Sequence, residues 1–273
     1  MNRNPEDQLN PKTILSAETL SLGYGNRLVI PELTLEIAMG TITALVGPNG
    51  SGKSTFLNAL ARLIAPHAGS VYLDGKAIAR MPARDVARRL AILPQSPGAP
   101  EELTVGELVE QGRYPHVGPL RMLREQDSTA IAEALAETRM TELRHRRLDS
   151  LSGGERQRAW IALALAQETP VLLLDEPTTF LDVGHQLEIL TLIQHLNRSQ
   201  GKTIVLVLHD LNQAARYAER LIVLRSGRIV ADGSPKEVLT AALLAEVFRV
   251  KGYIVSHPFD GLPVCLPYAV VEE

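Results

Sequence analysis

The chain has 273 residues, 45% of them apolar, which is enough for one large α/β domain with an inserted or appended piece. Its net charge of −3 excludes a global field that draws it to nucleic acid, and its single cysteine excludes an intrachain disulfide. No run of eighteen apolar residues is present, and the polar residues 1–12 carry no apolar signal core. We therefore expect a disordered leader at 1–12 and a soluble, cytoplasmic chain.

The first segments after the leader predict β-structure. A strand pattern runs from Ile14 to Leu22 and leads into a glycine-rich turn at 23–26. Leu33, Leu35 and Ile37 then alternate with polar neighbours, as in a half-buried antiparallel strand. Further short strands are predicted at 41–46, 71–73 and 90–93, the last ending just before Gln95.

A glycine-rich loop follows the apolar strand 41–46 and precedes a helical pattern at 56–63. It reads GPNGSGKST and comprises Gly47, Pro48, Asn49, Gly50, Ser51, Gly52, Lys53, Ser54 and Thr55. Strand, loop and helix in this order are the context of a phosphate-binding loop, whose backbone N–H groups surround the phosphates. Lys53 is then expected to reach the β- and γ-phosphates, and Ser54 to ligate the accompanying Mg²⁺. The loop predicts a nucleoside triphosphate site.

The composition changes after Gln95. Residues 96–119 are rich in proline and glycine, and a charged helical stretch follows from about Arg124 to Arg147. We interpret this segment as a helical insertion between two strands of the main sheet. Ser152, Gly153 and Gly154 then open another helix and offer a second anion site at its N-terminus. Such a chain either binds two phosphates or uses the second site on a partner.

Polar residues follow two further apolar strands, at 171–175 and 203–208. Asp175 and Glu176 end the first, where open α/β sheets place their ligands. Asp175 is suited to hold Mg²⁺, and Glu176 to orient or deprotonate the attacking water; the alternative is that these acids cap a helix. His209 ends the second strand, and it either bridges the γ-phosphate and water or is an ordinary surface histidine. Gln95 also ends a strand, where its amide can sense Mg²⁺ or water.

The remaining elements complete the predicted sheet and its cover. Helices are expected at 184–199 and 212–218. A β-hairpin is expected at 221–230, before the C-terminal region. From Pro235 the pattern is helical to about Phe248, and then irregular and rich in proline.

LSGGERQ at 151–157, the phosphate loop and LLLDEP at 172–177, taken with Gln95 and His209 in this order, resemble the ATP-binding subunit of an ATP-binding-cassette (ABC) transporter. The resemblance covers roughly residues 13–250 and implies an α/β fold. Its P-loop, RecA-like nucleotide-binding core carries an antiparallel β subdomain and an inserted α-helical subdomain at about 96–167. Residues 251–273 are a C-terminal extension.

The resemblance also implies roles for individual residues. Gln95 matches the Q-loop, Leu181 and Asp182 match the D-loop, and His209 matches the switch histidine. Tyr24 matches the aromatic residue that stacks on adenine; the alternative is a turn tyrosine that packs on the sheet. Two copies are expected to pair head to tail, so that Ser152, Gly153, Gly154 and Asp182 of one chain complete the ATP site of the other.

The family implies ATP and Mg²⁺ as cofactors, two transmembrane permease subunits as partners and, indirectly, a substrate-binding protein. It places the chain peripherally at the cytoplasmic face of the cell membrane, with no nucleic acid bound. The segments 96–116 and 233–263 look like the iron-chelate and cobalamin importer branch. We expect an ATPase that powers uptake of a ferric siderophore or similar iron chelate, with the insert after Gln95 docking the permease.

Three alternatives stay open at this point. The first is that the cargo of the transporter is cobalamin or haem. The second is that the chain is one of the soluble cassette ATPases that act on ribosomes or DNA. Such proteins generally carry two cassettes or a long coiled-coil insertion, neither of which is found here. The third alternative is a nucleotide-binding scaffold without hydrolysis, against which Glu176 and His209 argue.

Overall fold

The computed structural model of the chain describes residues 13–98, 100, 102–117 and 123–272. Its strands are β1 (Thr13–Tyr24), β2 (Arg27–Ala38), β3 (Ile42–Val46), β4 (Ala68–Leu73), β5 (Lys76–Ala77), β6 (Leu90–Leu93), β7 (Val171–Asp175), β8 (Thr203–Val207), β9 (Arg220–Arg225), β10 (Arg228–Gly233), β11 (Val250–Ser256) and β12 (Pro263–Val270). Its α-helices are α1 (Lys53–Leu60), α2 (Ala83–Ala87), α3 (Val105–Glu110), α4 (Glu125–Glu137), α5 (Gly153–Ala166), α6 (Val183–Gln200), α7 (Leu211–Tyr217), α8 (Pro235–Val238) and α9 (Ala241–Phe248). Short 3-10 helices cover Ile78–Arg80, Gln111–Arg113, Thr141–Leu143 and Leu148–Ser150.

The central sheet has the strand order β10-β9-β3-β8-β7-β6. Strands β9, β3, β8, β7 and β6 run parallel, and β10 is antiparallel to β9. Every residue of β3, β7 and β8 is buried, because one face of this sheet packs with α3, α5 and α6 and the other with α1, β1 and β2. The strands predicted at 41–46, 171–175 and 203–208 are therefore confirmed. Their carboxyl ends meet at one edge of the sheet.

A second, antiparallel sheet has the order β2-β1-β4-β5. Leu33, Leu35 and Ile37 of β2 are buried and alternate with exposed neighbours, as predicted. This apolar face packs with Phe56 and Leu57 of α1 and with residues of the central sheet in one core cluster. Together with the helices between β6 and β7, the two sheets confirm the predicted α/β fold with an antiparallel β subdomain and a helical insertion.

The helical stretch predicted from Arg124 to Arg147 is wrong in its second half, since α4 ends at Glu137. The hydroxyl of Thr138 donates to the carbonyl oxygen of Ala134 (2.8 Å), and Arg139 has a left-handed conformation with φ of 56°. The amide of Met140 then donates to the carbonyl of Leu135 (2.7 Å). These bonds satisfy the last carbonyls of α4 and stop it, which charge patterning does not reveal.

Arg113 forms buried hydrogen bonds that connect three segments of the helical insertion. Its side chain is only 4% exposed, and its Nε donates to Asp127 of α4 at 2.9 Å. Its Nη1 donates to the carbonyl of Ala166 at the end of α5 and to the carboxylate of Glu168, both at 2.6 Å. One guanidinium therefore joins the segment after α3 to the start of α4 and the end of α5.

The irregular structure predicted after Phe248 is also wrong, because β11 and β12 form an antiparallel hairpin. Its inner face places Val250, Ile254 and Cys265 against the core. The prolines that suggested irregularity occupy strand positions that tolerate a missing N–H: Pro263 begins β12, and Pro267 lies on a two-stranded sheet whose strands are both edges. The domain division at residue 250 remains a prediction.

Residues 1–12, predicted to be a disordered leader, lie outside the described residues. None of the helices in the described part of the chain is long and apolar enough to cross a membrane.

Candidate active site

The loop between β3 and α1 has the predicted strand–loop–helix arrangement. Gly47 has φ of 147°, and a Cβ built there would lie 2.1 Å from the carbonyl oxygen of Leu224, so only glycine fits. Lys53 is buried, and its Nζ donates to the carbonyls of Gly47 (2.9 Å) and Pro48 (3.0 Å). Burial lowers the pKa of Lys53, while the charges of Glu176 and Asp175 act to raise it. The ammonium thus lies where phosphate oxygens can replace carbonyls as its partners.

Ser54 and Asp175 form the cation-binding corner of the site. The hydroxyl of Ser54 donates to Oδ1 of Asp175 at 2.8 Å. Burial raises the pKa of Asp175, the bond from Ser54 lowers it, and the charge of Glu176 raises it further. A buried carboxylate beside a hydroxyl is a set of hard oxygen donors, and Mg²⁺ commonly takes few protein oxygens together with phosphates and water. The residues present therefore fit Mg²⁺.

Glu176 connects the ends of three strands. Gln95 donates from Nε2 to Oε2 of Glu176 at 2.7 Å, and His209 places Nε2 2.5 Å from Oε1. Thr179, which the sequence did not single out, donates to Oε2 at 3.1 Å. The Glu176 side chain is 9% exposed and that of His209 is 45% exposed. Both carboxylate oxygens are held in place, and the histidine remains reachable from solvent.

The helix-capping alternative for Asp175 and Glu176 is wrong. Asp175 ends β7 and bonds Ser54, whereas Asp182 is the residue that caps the next helix, α6. The Oδ1 of Asp182 accepts from the backbone amide of His185 at 2.9 Å. This amide bond and the bond from the His185 side chain lower the pKa of Asp182.

A cavity of about 730 Å³ lies between the phosphate loop and the cluster of Gln95, Glu176 and His209. It is lined by Tyr24, Arg27, Val29, Asn49, Gly50, Gly52, Lys53, Ser54, Thr55, Gln95, Glu176 and His209. Tyr24 lines this cavity and is 57% exposed; its stacking on adenine remains a prediction. Arg27 and Val29 were missed by sequence reasoning. The glycine-rich turn predicted at 23–26 is the sequence signal that could have pointed to Arg27, because a tight turn there pairs it with Tyr24.

The second predicted anion site lies at the start of α5. Ser152 accepts from the amide of Glu155 (3.3 Å), and the Glu155 carboxylate accepts from the amide of Ser152 (2.8 Å). The ring of His185 covers Gly154 so closely that a Cβ there would lie 2.4 Å from it. His185 Nδ1 also lies 2.8 Å from Oδ2 of Asp182. The structure brings Ser152, Gly153, Gly154 and Asp182 together through His185 and Leu181, but none of them lines the cavity of Lys53.

The fold and this site define a P-loop ATPase of the cassette type, with a helical insertion between β6, which ends two residues before Gln95, and β7, which ends at Asp175. The ABC transporter family model matches residues 30–179, and the chain belongs to this family. It is an ATP-hydrolysing subunit coupled to transport.

Three relatives extend the match over nearly the whole chain. The probable siderophore transport system ATP-binding protein YusV of Bacillus subtilis (strain 168) is 52% identical over 95% of this chain and 96% of its own length. The ferric enterobactin transport ATP-binding protein FepC of Escherichia coli (strain K12) is 49% identical over 93% of each. The hemin import ATP-binding protein HmuV of Nocardia farcinica (strain IFM 10152) is 46% identical over 88% of this chain and 83% of its own length.

Two solved structures share the fold. A transporter described as of the metal-chelate type, in an inward-facing conformation, matches with a TM-score of 0.81 and 29% identity over 94% of this chain and 98% of its own. A dimeric bacterial ABC transporter cassette matches with a TM-score of 0.72 and 30% identity over 81% of this chain and 98% of its own.

Replacing Tyr24 by Ala is expected to weaken ATP binding by roughly 10- to 100-fold, since stacking of a base on an aromatic side chain contributes about 1–3 kcal/mol. Tyr24→Phe keeps the ring and should change the Kd little. Tyr253→Ala, at a similarly exposed tyrosine outside the cavity, is the matched control. Isothermal titration with a non-hydrolysable ATP analogue measures all four proteins, and equal affinities would remove Tyr24 from the site.

Proposed function

We propose that this chain is the ATPase subunit of an importer for a ferric siderophore or a similar iron chelate. The observation that carries the proposal is the similarity to YusV and FepC, which spans 93% or more of this chain and of both relatives. YusV is named as a probable siderophore transport protein and FepC as a ferric enterobactin transport protein. The likeness to a metal-chelate type transporter over 94% of the chain supports the same class of cargo.

The chemistry we propose uses the groups around the cavity in distinct roles. The backbone N–H groups of residues 47–55 and the Lys53 ammonium bind the phosphates of ATP. Ser54, Asp175 and the side-chain amide of Gln95 would hold Mg²⁺, directly or through water, and the bound ion would neutralise charge on the phosphates. Tyr24 stacks on the adenine.

Hydrolysis is assigned to Glu176 and His209. Glu176 accepts a proton from the attacking water, and its two oxygens are oriented for this by Gln95, Thr179 and His209. The His209 side chain is 45% exposed, and we propose that it contacts the γ-phosphate and the water together. Because Gln95 and His209 both touch Glu176, neither can shift without disturbing the base.

A second copy of this chain is the proposed partner at the nucleotide. Ser152, Gly153 and Gly154 present the N-terminus of α5, where anions are favoured, yet they do not line the cavity of their own chain. Head-to-tail pairing would place them and Asp182 on the ATP of the other copy. The likeness to a dimeric cassette supports this arrangement.

Two permease subunits and, through them, a substrate-binding protein complete the proposed transporter. The insert after Gln95 is the proposed docking surface, because Gln95 bonds Glu176 and begins the segment that leads into the helical insertion. This arrangement places the chain peripherally at the cytoplasmic face of the membrane.

Haem is the second candidate cargo, favoured by the 46% identity to HmuV. Cells that carry Lys53→Ala, which removes the charge that faces the phosphates, test the two cargoes. We expect poor growth when iron is supplied as its siderophore chelate and normal growth on abundant free iron. Lys76→Ala, at an exposed lysine of β5, is the control and should grow normally. Normal use of every chelate, with loss of haem or cobalamin uptake, would overturn the proposed cargo and leave the ATPase in place.

A further inference from the structure

The C-terminal hairpin β11–β12 holds the first turn of α7, the helix that begins two residues after His209. The side-chain amide of Asn212 pairs with the backbone of Cys265 in both directions. Its Oδ1 accepts from the Cys265 amide at 2.7 Å, and its Nδ2 donates to the Cys265 carbonyl at 3.2 Å. Cys265 is itself buried in the core, so α7 is tied to a fixed point of β12.

The hairpin also holds the last turn of α7. Arg216 Nη1 donates to Oδ2 of Asp260, in the turn between β11 and β12, at 3.2 Å. Asp260 is kept in place by the amide of Leu262, which donates to Oδ1 at 3.2 Å. The two ends of one short helix are thus bonded to two parts of the same hairpin.

Asp210, the residue after His209, links His209 to α7. A helix of seven residues does not hold its own conformation in water, so its placement depends on tertiary contacts. Asp210 accepts from the amides of Asn212 (2.7 Å) and Gln213 (2.9 Å), which ties the residue after His209 to the first turn of α7. A shift of α7 would therefore move His209 relative to Glu176.

We propose that Asn212 and Arg216 are positioning residues for His209, and that the hairpin β11–β12 is the brace through which they act. This assignment rests on the proposed role of His209 in hydrolysis. It gives the C-terminal extension a function in catalysis, although no residue of α7, β11 or β12 lines the ATP cavity. The brace therefore affects turnover and leaves ATP binding unchanged.

Steady-state ATPase measurements on the full chain test the brace. Asn212→Ala should lower kcat on the order of 10-fold or more, since small misplacements of a catalytic group are costly, with KM for ATP within about twofold. Asp260→Asn, at a more exposed contact, should lower kcat in the same direction by less. Ser199→Ala removes the bond from the Ser199 hydroxyl to the carbonyl of His195 (2.7 Å), at an exposed position of α6 outside α7 and the hairpin, and it should match the wild type.

A double variant separates positioning of His209 from a general loss of structure. If Asn212 acts through His209, then Asn212→Ala combined with His209→Ala should turn over no more slowly than His209→Ala alone. Multiplied losses in the double variant, or a rise in KM as large as the fall in kcat, would overturn the brace. If His209→Ala itself left kcat unchanged, the proposed role of His209 would fail and the brace with it. A slow His209→Ala beside a normal Asn212→Ala would overturn the brace alone.

Discussion

Replacing Glu176 by Gln is expected to lower ATP turnover by roughly 10²–10⁴-fold, the usual contribution of a general base. Glutamine keeps the size and shape of the side chain, so the cavity and the loop around Lys53 are preserved. It removes the proton acceptor that Gln95, Thr179 and His209 orient in the wild type. ATP binding, measured by titration at low temperature, should remain within a few-fold of the wild type.

The same variant provides a readout of the proposed pairing. With hydrolysis blocked, ATP should hold two copies together, and size-exclusion chromatography with ATP should show a dimer that is lost without nucleotide. Glu237→Gln is the matched control, because Glu237 accepts bonds from Ser234 in a capping box outside the ATP cavity. Turnover of Glu176→Gln close to that of the control would remove Glu176 from the mechanism.

Replacing Arg113 by Met is expected to lower the free energy of unfolding by about 3–5 kcal/mol. Methionine fills a similar volume but leaves the carboxylate of Asp127, which is 5% exposed, without its cation. It also removes the donor to the carbonyl of Ala166. Urea denaturation followed by circular dichroism measures the loss. Arg147→Met, which breaks an exposed pair with Asp149, should cost only about 0–1 kcal/mol.

The pH dependence of this effect follows from Asp127. Burial acts to raise the pKa of Asp127, but the amide of Arg124 and the guanidinium of Arg113 lower it by more, so the net pKa lies below its ordinary value. The pair therefore stabilises the fold above the ordinary aspartate pKa of about 4, and the stabilisation is lost as the pH falls below it. The difference between wild type and Arg113→Met should shrink over the same range, and a difference independent of pH would contradict the ion pair as its cause.

Local patterns in the sequence were sufficient to predict most of the elements that carry the site. The phosphate loop was predictable because a buried strand, glycines at fixed positions and a helix are all short-range features. The helix that opens at Ser152, Gly153 and Gly154 was likewise predicted from consecutive residues, and α5 begins at Gly153. The apolar runs before Asp175 and His209 predicted parallel strands, and hence that both residues reach the same edge of the sheet.

Charge and proline content misled where the deciding interactions were not visible as patterns. The end of α4 depends on a hydroxyl that turns back and on one left-handed residue, Arg139. The hairpin β11–β12 depends on the antiparallel pairing of its two strands and on the packing of its inner face against the core. In both cases the residue types permit several conformations, and the surrounding contacts select one.

The sequence by itself determined that this protein binds a nucleoside triphosphate through a loop on a parallel sheet, because those signals lie within a few residues of each other. Only the tertiary structure decided which side chains touch. Gln95 and Glu176 are 81 positions apart, yet they share a hydrogen bond, since parallel strands bring distant chain segments to one edge. Nothing in the sequence indicated the contacts of Arg113 and Asn212. Their partners, Asp127, Ala166 and Cys265, are set by how helices and a hairpin pack, and a lone arginine or asparagine does not specify its partner.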